Sequence, residues 1–409
     1  MYRGYATKEV SFKFRGKLFG FALSQGLFSS ADIDTGTRFL LKVFSKTLDP
    51  LPPPKKVLDA GCGIGVIGIC AAASADCVVR CQDRDELARG FTEYNARRNG
   101  VPAERLSAHT EPLLGGNPQD RWDIILSNIP AKTGKPVLED FVRRSAGLLN
   151  PSGRVFMVAV NPLADFFRSV IETPIYEETG SGHTVFVYGP SEKRTEPVQT
   201  GPHFLEKYPA YRRRRGEYMM EKTAYTLDSV YGAADFDAPG GAAQAGAKLM
   251  RRLPIAFPPD PAVLVYEPGQ GHFPAWFAAR LHREAEYTLA GRNVLALEAS
   301  RFNLRQSPQV KTLSIVDLET HRDALIREKG YDFIAAFPSA VPQTDRLTAH
   351  WDGLEALLAS EGVALLGFPS AEAERFDRKK PKGFTRLGDA KKNGFRALAY
   401  WKNPPNPIP

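Results

Sequence analysis

Lys56-Val57-Leu58-Asp59-Ala60-Gly61-Cys62-Gly63-Ile64-Gly65 decides how this chain is read. An apolar run ends on an acid, glycines then alternate, and Val66-Ile67-Gly68-Ile69 opens a helix-like pattern. Strand, glycine turn and helix start make a nucleotide-type pocket. Glycine lets backbone come close to a ligand, and the first turn of a helix presents unpaired N–H groups. Alone, the turn is ambiguous: G-x-G-x-G also serves dinucleotide sites, and many glycine-rich turns bind nothing. The next acid narrows the choice. Val78-Val79-Arg80-Cys81-Gln82-Asp83 reads as a second strand ending on Asp83. Its distance from the glycines, about 20 residues, suits a carboxylate that grips a ribose diol.

Trp122-Asp123-Ile124-Ile125-Leu126-Ser127 is an apolar strand that runs into Asn128-Ile129-Pro130-Ala131. Glycine turn, ribose acid and strand-Asn-x-Pro, in that order, resemble the class I S-adenosylmethionine-dependent methyltransferases. Within them the pattern is similar to the Asn-Pro-Pro-Tyr/Phe branch, which methylates nitrogens of bases and of glutamine amides. Upstream, Phe28-Ser29, Ile33-Asp34, Gly36-Thr37 and Leu40-Leu41 follow the spacing of the two-domain ribosomal RNA guanine methyltransferases of the small-methyltransferase-domain family, which modify the exocyclic amine.

That resemblance implies S-adenosyl-L-methionine as cofactor. Phe28, Asp34, Gly36 and Thr37 would lie across its methionine end. Asp59, Ala60, Gly61, Cys62 and Gly63 would form the turn beneath it, with Asp83 and Arg84 at the ribose. His109 and Thr110 would border the adenine, and Asn128 would touch both cofactor and substrate. A plain helix cap at Asp34 or Thr35 is the alternative for the upstream segment.

Composition sets the frame. At 409 residues the chain is too long for one ordinary core, so two domains are expected. Apolar residues at 43% and charged residues at 24% describe a soluble globular protein. No apolar run reaches the roughly 18 residues of a membrane span. Met1-Tyr2-Arg3-Gly4-Tyr5 shows no apolar signal core, so the cytoplasm is expected. A net charge of +8 favours a polyanionic partner, RNA before membrane, against a plain solvated basic surface. Cys62, Cys70, Cys77 and Cys81 contain no C-x-x-C pair and read as small core residues, so no metal is expected.

The first half reads as a regular α/β chain. Residues 10–16 and 17–23 form a hairpin, strand 57–59 precedes helix 65–75, and strand 78–83 precedes helix 85–98. Strands 106–110, 122–127 and 154–160 follow, with helices over 137–149 and 162–172 and strands near 174–178 and 184–188. Helices alternating with buried strands predict a doubly wound, Rossmann-like sheet; the closing antiparallel hairpin is what the resemblance implies. From 191 to 222 the pattern breaks into a basic linker, whose Arg212-Arg213-Arg214-Arg215 beside Tyr208, Tyr211 and Tyr218 could engage phosphates and stack on bases.

The chain then repeats itself. Residues 27–34 match 230–237, 57–63 match 265–271, the strand ending at Asp83 matches Val294–Glu298, 122–125 match 331–334, and 148–153 match 357–362. The reading is therefore a catalytic domain over 1–190, the linker over 191–222, and a degenerate methyltransferase-like domain over 223–409. Phe337 stands where Asn128 stands and cannot accept an amine N–H. In the resembled family the active copy is the C-terminal one, so the order here is reversed. The tail is basic again at Arg378-Lys379-Lys380, Lys382, Lys391-Lys392 and Arg396, either an exposed rim or a phosphate-contacting face.

For an exocyclic amine, a side-chain carbonyl from Asn128 and a backbone carbonyl from Ile129 would accept the two N–H groups, and Pro130 would stiffen the turn. Ala131 replaces the aromatic that usually stacks on a flipped base, leaving Phe28 as the candidate. The expected function is methylation of guanine in ribosomal RNA. The alternatives are a protein (glutamine-type) or small-molecule N-methyltransferase, and a non-catalytic RNA-binding module.

Overall fold

The computed structural model describes residues 2–48, 53–191, 201–235, 237–280 and 284–404, which fall into two compact units, Tyr2–Gln199 and Thr200–Pro409. In the first, a hairpin of β1 (Lys8–Phe14) and β2 (Lys17–Leu23) precedes α1 (Thr35–Leu48). There follow β3 (Lys56–Ala60), α2 (Val66–Ser74), β4 (Val78–Asp83), α3 (Glu86–Arg98), β5 (Leu106–Thr110) and β6 (Trp122–Asn128). The unit ends with α4 (Lys135–Gly147), β7 (Leu149–Val160), α5 (Ala164–Val170), β8 (Pro174–Thr179) and β9 (His183–Tyr188). The sheet order is β5-β4-β3-β6-β7-β9-β8, parallel from β5 to β7 and antiparallel at β9. The chain leaves β3 on one side and returns to β6 on the other. Such a reversal opens a ligand crevice at the carboxyl ends of the strands. The glycine turn after β3 and Asn128 at the end of β6 both lie on that edge.

Local chemistry explains the elements. Val155, Met157 and Ala159 of β7 pack with Leu138, Phe141 and Phe167 of α4 and α5. On the alternate side Phe156 meets Phe44 of α1 edge-on at 5.2 Å. Buried on both faces, β7 can be apolar throughout. Asp85 caps α3 by accepting the Leu87 N–H at 2.9 Å. Gly68 of α2 crosses β4 so closely that a Cβ there would stand 2.3 Å from Cys81 Sγ. All four cysteines are buried and free.

The second unit contains α6 (Phe204–Lys207), β10 (Arg212–Met220), β11 (Thr223–Val230), α7 (Gly241–Met250), β12 (Ala262–Tyr266), α8 (His272–Arg280), β13 (Glu286–Gly291) and α9 (Val294–Asn303). It continues with β14 (Val310–Ser314), α10 (Arg322–Leu325), β15 (Tyr331–Ala336), α11 (His350–Leu357), β16 (Leu358–Pro369), α12 (Ser370–Asp377), β17 (Phe384–Lys392) and β18 (Phe395–Lys402). Its sheet order, β14-β13-β12-β15-β16-β18-β17, repeats the first unit's topology. No helix among the described residues is long and apolar enough to cross a membrane.

Strand pairing corrects the sequence matches. Val263 pairs with Phe333 as Val57 pairs with Ile124, so Val265, not Glu267, stands at the place of Asp59. Backbone torsions agree: Gly61, Gly63 and Gly65 have φ 81, 56 and 88°, and Glu267, Gly269 and Gly271 have 54, 57 and 98°. Val294–Glu298 is helical rather than a strand, because Asn293 caps α9 by accepting the Leu295 and Ala296 N–H groups. A short apolar run cannot by itself tell strand from helix. The true counterpart of β4 is β13, where Gly291 pairs with Ser314 as Asp83 pairs with Thr110. In the upstream loop, Ser29 at φ 59° corresponds to Asp235 at φ 60°.

The stretch expected as a linker also differs. Residues 192–200 lie outside the described residues, whereas α6 and β10 belong to the second unit. The arginine run folds into a strand because Arg212 and Arg215 find a buried partner in Asp228, which composition alone conceals. Tyr208, Tyr211 and Tyr218 are buried and so are not presented for base stacking.

Replacing Gly68 by Ala forces a methyl into the α2–β4 contact. Overpacking of about 3 kcal/mol, offset by about 1 kcal/mol of helix propensity, predicts a net loss near 2 kcal/mol. Gly182→Ala, where a Cβ meets nothing within 4 Å, is the control and leaves stability nearly unchanged. Denaturant titration of both variants checks this; an unshifted Gly68→Ala midpoint would contradict the packing.

Candidate functional site

The turn after β3 is built by three left-handed glycines. Gly61 and Cys62 donate their N–H groups to the Gln82 carbonyl at 2.9 and 3.0 Å, which ties the turn to β4. Gly63 donates its N–H to Asp83 Oδ2 at 2.9 Å, while Asp83 Oδ1 accepts the Asp85 N–H at 3.0 Å. Each oxygen keeps a lone pair for a ligand hydroxyl. Burial raises the Asp83 carboxyl and the Asp85 charge adds to it, while the two N–H bonds and Arg84 oppose the rise. A Cβ on Gly63 would meet nothing within 4 Å, so the turn faces open space. A carboxylate beside a sterically open glycine turn at the crevice edge fits the ribose of an adenosine-type cofactor.

The second half of the site is one amide. Asn128, half-buried at the end of β6, donates Nδ2–H to Asp34 Oδ2 at 2.8 Å and to Thr37 Oγ1 at 3.0 Å. Asp34 Oδ2 also accepts the Thr37 N–H at 3.0 Å, capping α1. A carboxylate only accepts, so the NH2 end of the amide must face inward. The carbonyl Oδ1 is thereby left as an acceptor. Beside it, the Ile129 side chain is buried in the core while its N–H donates to the Val158 carbonyl at 3.1 Å. Thr133 N–H and Oγ1–H both donate to the Pro130 carbonyl, at 3.1 and 2.8 Å. That clamp holds the turn in place of the missing second proline.

The structure brings Asp34 and Thr37 of the upstream segment to the Asn128 amide, with Gly36 beside Asp34. A Cβ on Gly36 would stand 2.9 Å from Asp34 Oδ2 and 3.1 Å from His183 Nε2. His183, at the start of β9, thus belongs to the site although no sequence motif marks it. Asp59 is completely buried beneath the turn. Its Oδ2 accepts the Gly68 N–H at 2.8 Å, and its Oδ1 has no partner among the described residues. Burial pushes its carboxyl up to about 7, against the Gly68 bond and with the help of the Asp83 charge. Ala60 and Cys62 are buried, so Asp59 and Ala60 shape the turn from below. Thr110 pairs with Asp83 and gives its hydroxyl to Glu86, whereas the His109 ring turns to Ser107 at 3.0 Å. Leu113, not singled out by sequence, lies 3.5 Å from a Cβ on Gly61. Phe28 is 76% exposed. No group of three or more His, Cys, Asp or Glu residues is placed to hold a metal among the described residues.

The second unit keeps the frame and changes the side chains at its strand ends. Ser300 donates its hydroxyl to the Gly269 carbonyl at 2.9 Å, as Thr92 does to Gly63 at 3.0 Å. Asn303 bonds the Asp228 and Gln270 backbone as Asn95 bonds Ala22 and Ile64. Val265, Gly291, Gly240 and Phe337 stand where the first unit has Asp59, Asp83, Asp34 and Asn128. Glu267, in Gly61's place, accepts the Arg292 N–H at 2.8 Å and lies within 3.3 Å of a Cβ on Gly291. Its carboxylate fills the space beside the strand end. The Phe337 ring packs 5.0 Å from Phe273.

Residues 19–172 match the family described as the methyltransferase small domain. The "Uncharacterized protein YbxB" of Bacillus subtilis is 30% identical over 149 residues, covering 36% of this chain and 72% of that protein. A "Ribosomal protein L11 methyltransferase" of Syntrophotalea carbinolica is 36% identical over 122 residues, 29% of this chain and 38% of that one. A "Ribosomal RNA small subunit methyltransferase C" of Chromohalobacter salexigens is 30% identical over 138 residues, 33% of this chain and 40% of that one. The chain thus spans well under half the length of these last two relatives. In architecture, the "16S rRNA N2 G1207 methyltransferase (RsmC)" of T. thermophilus, solved with AdoMet and guanosine, superposes with a TM-score of 0.65 at 17% identity. That match covers 98% of this chain and 99% of the other, so the tandem fold is shared from end to end.

Asp59 generates a pH prediction. Its folded pKa, about 7, lies above the unfolded value near 3.9. The native state therefore binds more protons between about pH 4 and 7, and this group's contribution to stability is lost as pH rises through that window. At about 1.4 kcal/mol per unit the effect is on the order of 4 kcal/mol. Asp59→Asn removes it, so the melting temperature of the variant relative to the parent should rise from pH 5 to pH 8. A pH-independent difference would contradict the assignment.

Proposed function

The chain belongs to the methyltransferase small domain family and is an S-adenosylmethionine-dependent methyltransferase, and we propose that its first unit methylates the exocyclic amine of guanine in ribosomal RNA. One observation carries this reading: the Asn128 amide is pinned through its NH2 by Asp34 and Thr37, leaving Oδ1 as a fixed acceptor. Such an acceptor suits an amine, whose two N–H groups need partners that orient the lone pair. The names of the relatives, ribosomal RNA methyltransferases among them, support RNA as the substrate.

When bound, S-adenosylmethionine supplies a methyl group already activated on a sulfonium, so no side chain has to act as nucleophile. Asp83 holds the ribose, and the glycine turn, lacking side chains, leaves room for it. Asn128 Oδ1 and the Ile129 carbonyl accept the two N–H groups of the amine. That geometry turns the nitrogen lone pair away from the ring and onto the transfer axis. As positive charge develops on nitrogen, the two carbonyl dipoles face it without reorganising. Asp34 acts through Asn128: it keeps the amide from flipping, and it is a positioning residue. The second unit, lacking counterparts of Asp83, Asp34 and Asn128, serves no transfer.

Ala131, exposed where an aromatic would stack on a base, favours one other reading, a protein or small-molecule amine as acceptor. Labelled methyl transfer from S-adenosylmethionine to a lysate, and to total RNA, from cells lacking this protein decides between them. Label in ribosomal RNA, recovered as N2-methylguanosine after digestion, is expected; label in a ribonuclease-resistant protein band would overturn the reading. Asn128→Ala should lower kcat at least 1000-fold (about 4 kcal/mol) while cofactor affinity stays within a few-fold. Asp34→Ala should lower kcat roughly 10- to 100-fold by freeing the amide, about 1.4–2.7 kcal/mol. Collapse of cofactor affinity in either variant would contradict these roles.

A further inference from the structure

The two copies of the hairpin place their charges differently. In the first unit Glu9 pairs across from Ala22, and Arg98 clamps the Glu9 carboxylate with two bonds of 2.6 Å. In the second unit the corresponding pair is Arg215 across from Asp228, and β10 opens with four consecutive arginines. A register shift between Arg212 and Arg214 breaks strand alternation, and all four side chains stay exposed.

These cations are organised. The Asp228 carboxylate, 1% exposed, meets Arg212 at 2.9 Å, Arg215 at 3.4 Å and Arg305 at 3.7 Å. One buried carboxylate is therefore shared by three guanidiniums. Phe302 supports two of them, with Arg212 5.4 Å and Arg305 4.2 Å from its ring centre. Arg213 is held by Asp237 at 2.6 Å, and Arg214 has no carboxylate partner among the described residues. Five guanidiniums thus face two carboxylates. In the basic tail, Arg386 and Arg396 are matched by the partly exposed Asp377, Asp389 and Glu374, and among the described residues no buried carboxylate gathers several of its cations.

Arginines held over a ring and around a shared anion lose little freedom on binding, and Arg214 adds a further cation beside them in sequence. Their planar forks match the paired oxygens of a phosphodiester. We propose that Arg212, Arg214, Arg215 and Arg305 form a docking surface for the sugar-phosphate backbone of the RNA substrate, on the unit that carries no transfer site. This rests on RNA being the substrate. The hairpin of the unit without a transfer site gathers four arginines in a row at one end, whereas the first hairpin spreads Lys8, Lys13, Arg15 and Lys17 along its length.

The test compares the full chain with an Arg214→Ala/Arg215→Ala double variant, which leaves Arg212 and Arg305 on Asp228. Binding of a ribosomal RNA fragment is followed by fluorescence anisotropy from about 50 to 300 mM KCl. Two lost phosphate contacts should lower affinity at least tenfold and flatten the slope of log K against log salt by about 1.5. Cofactor affinity and melting temperature should hold, and Arg214→Lys/Arg215→Lys should restore the slope. Unchanged RNA affinity and slope in the alanine variant would overturn the surface. So would loss of binding to phosphatidylglycerol vesicles with RNA binding intact. RNA bound in an arginine-dependent way but never methylated would overturn the substrate reading and leave the surface standing.

Discussion

A single carboxylate, Asp34, decides which end of the Asn128 amide faces the crevice. An asparagine at a strand end is chemically two-faced, donor on one side and acceptor on the other. Asp34 Oδ2 accepts both the Asn128 Nδ2–H and the Thr37 N–H, so the same atom caps α1 and sets the amide. Helix, loop and strand end are thereby locked into one arrangement. Gly36 must lack a side chain because Asp34 and His183 occupy the space a Cβ would need. The site is thus pre-organised by groups whose first task is to terminate secondary structure.

The second unit shows what happens when that constraint is lifted. Its backbone preserves the turn to the level of torsion angles and of the Ser300 and Asn303 bonds that brace it. With Gly291 and Phe337 at the Asp83 and Asn128 places, the Glu267 carboxylate and the Phe337 ring fill the strand ends. Fold and chemistry are separable here: packing and polar satisfaction maintain the sheet, while the reaction depends on a handful of side chains at its edge.

Much of this was legible from the residues. The glycine turn, Asp83 and the Asn128 turn carry distinct residue types at fixed spacing, and the alternation of buried strands with helices foretells the doubly wound sheet. Other features left no local signal. Asp34 reads equally as a cap and as a ligand, and only the fold brings it to Asn128. Val294-Leu295-Ala296-Leu297 has strand-like composition, but the Asn293 cap and its place after β13 make it a helix. Asp59 looks like a ligand by position yet is sealed beneath Gly68. The arginine run looks like solvated linker until Asp228, remote enough in sequence to escape a window, is seen to hold it.

The proposed division of labour between two copies of one fold is tested most directly by counting cofactor sites. Equilibrium dialysis of labelled S-adenosylmethionine against the full-length chain should saturate at one molecule per chain, and Asp83→Ala should abolish that binding. Saturation at two, or a single site that survives Asp83→Ala, would mean that the second unit binds the cofactor and that the assignment of roles is wrong.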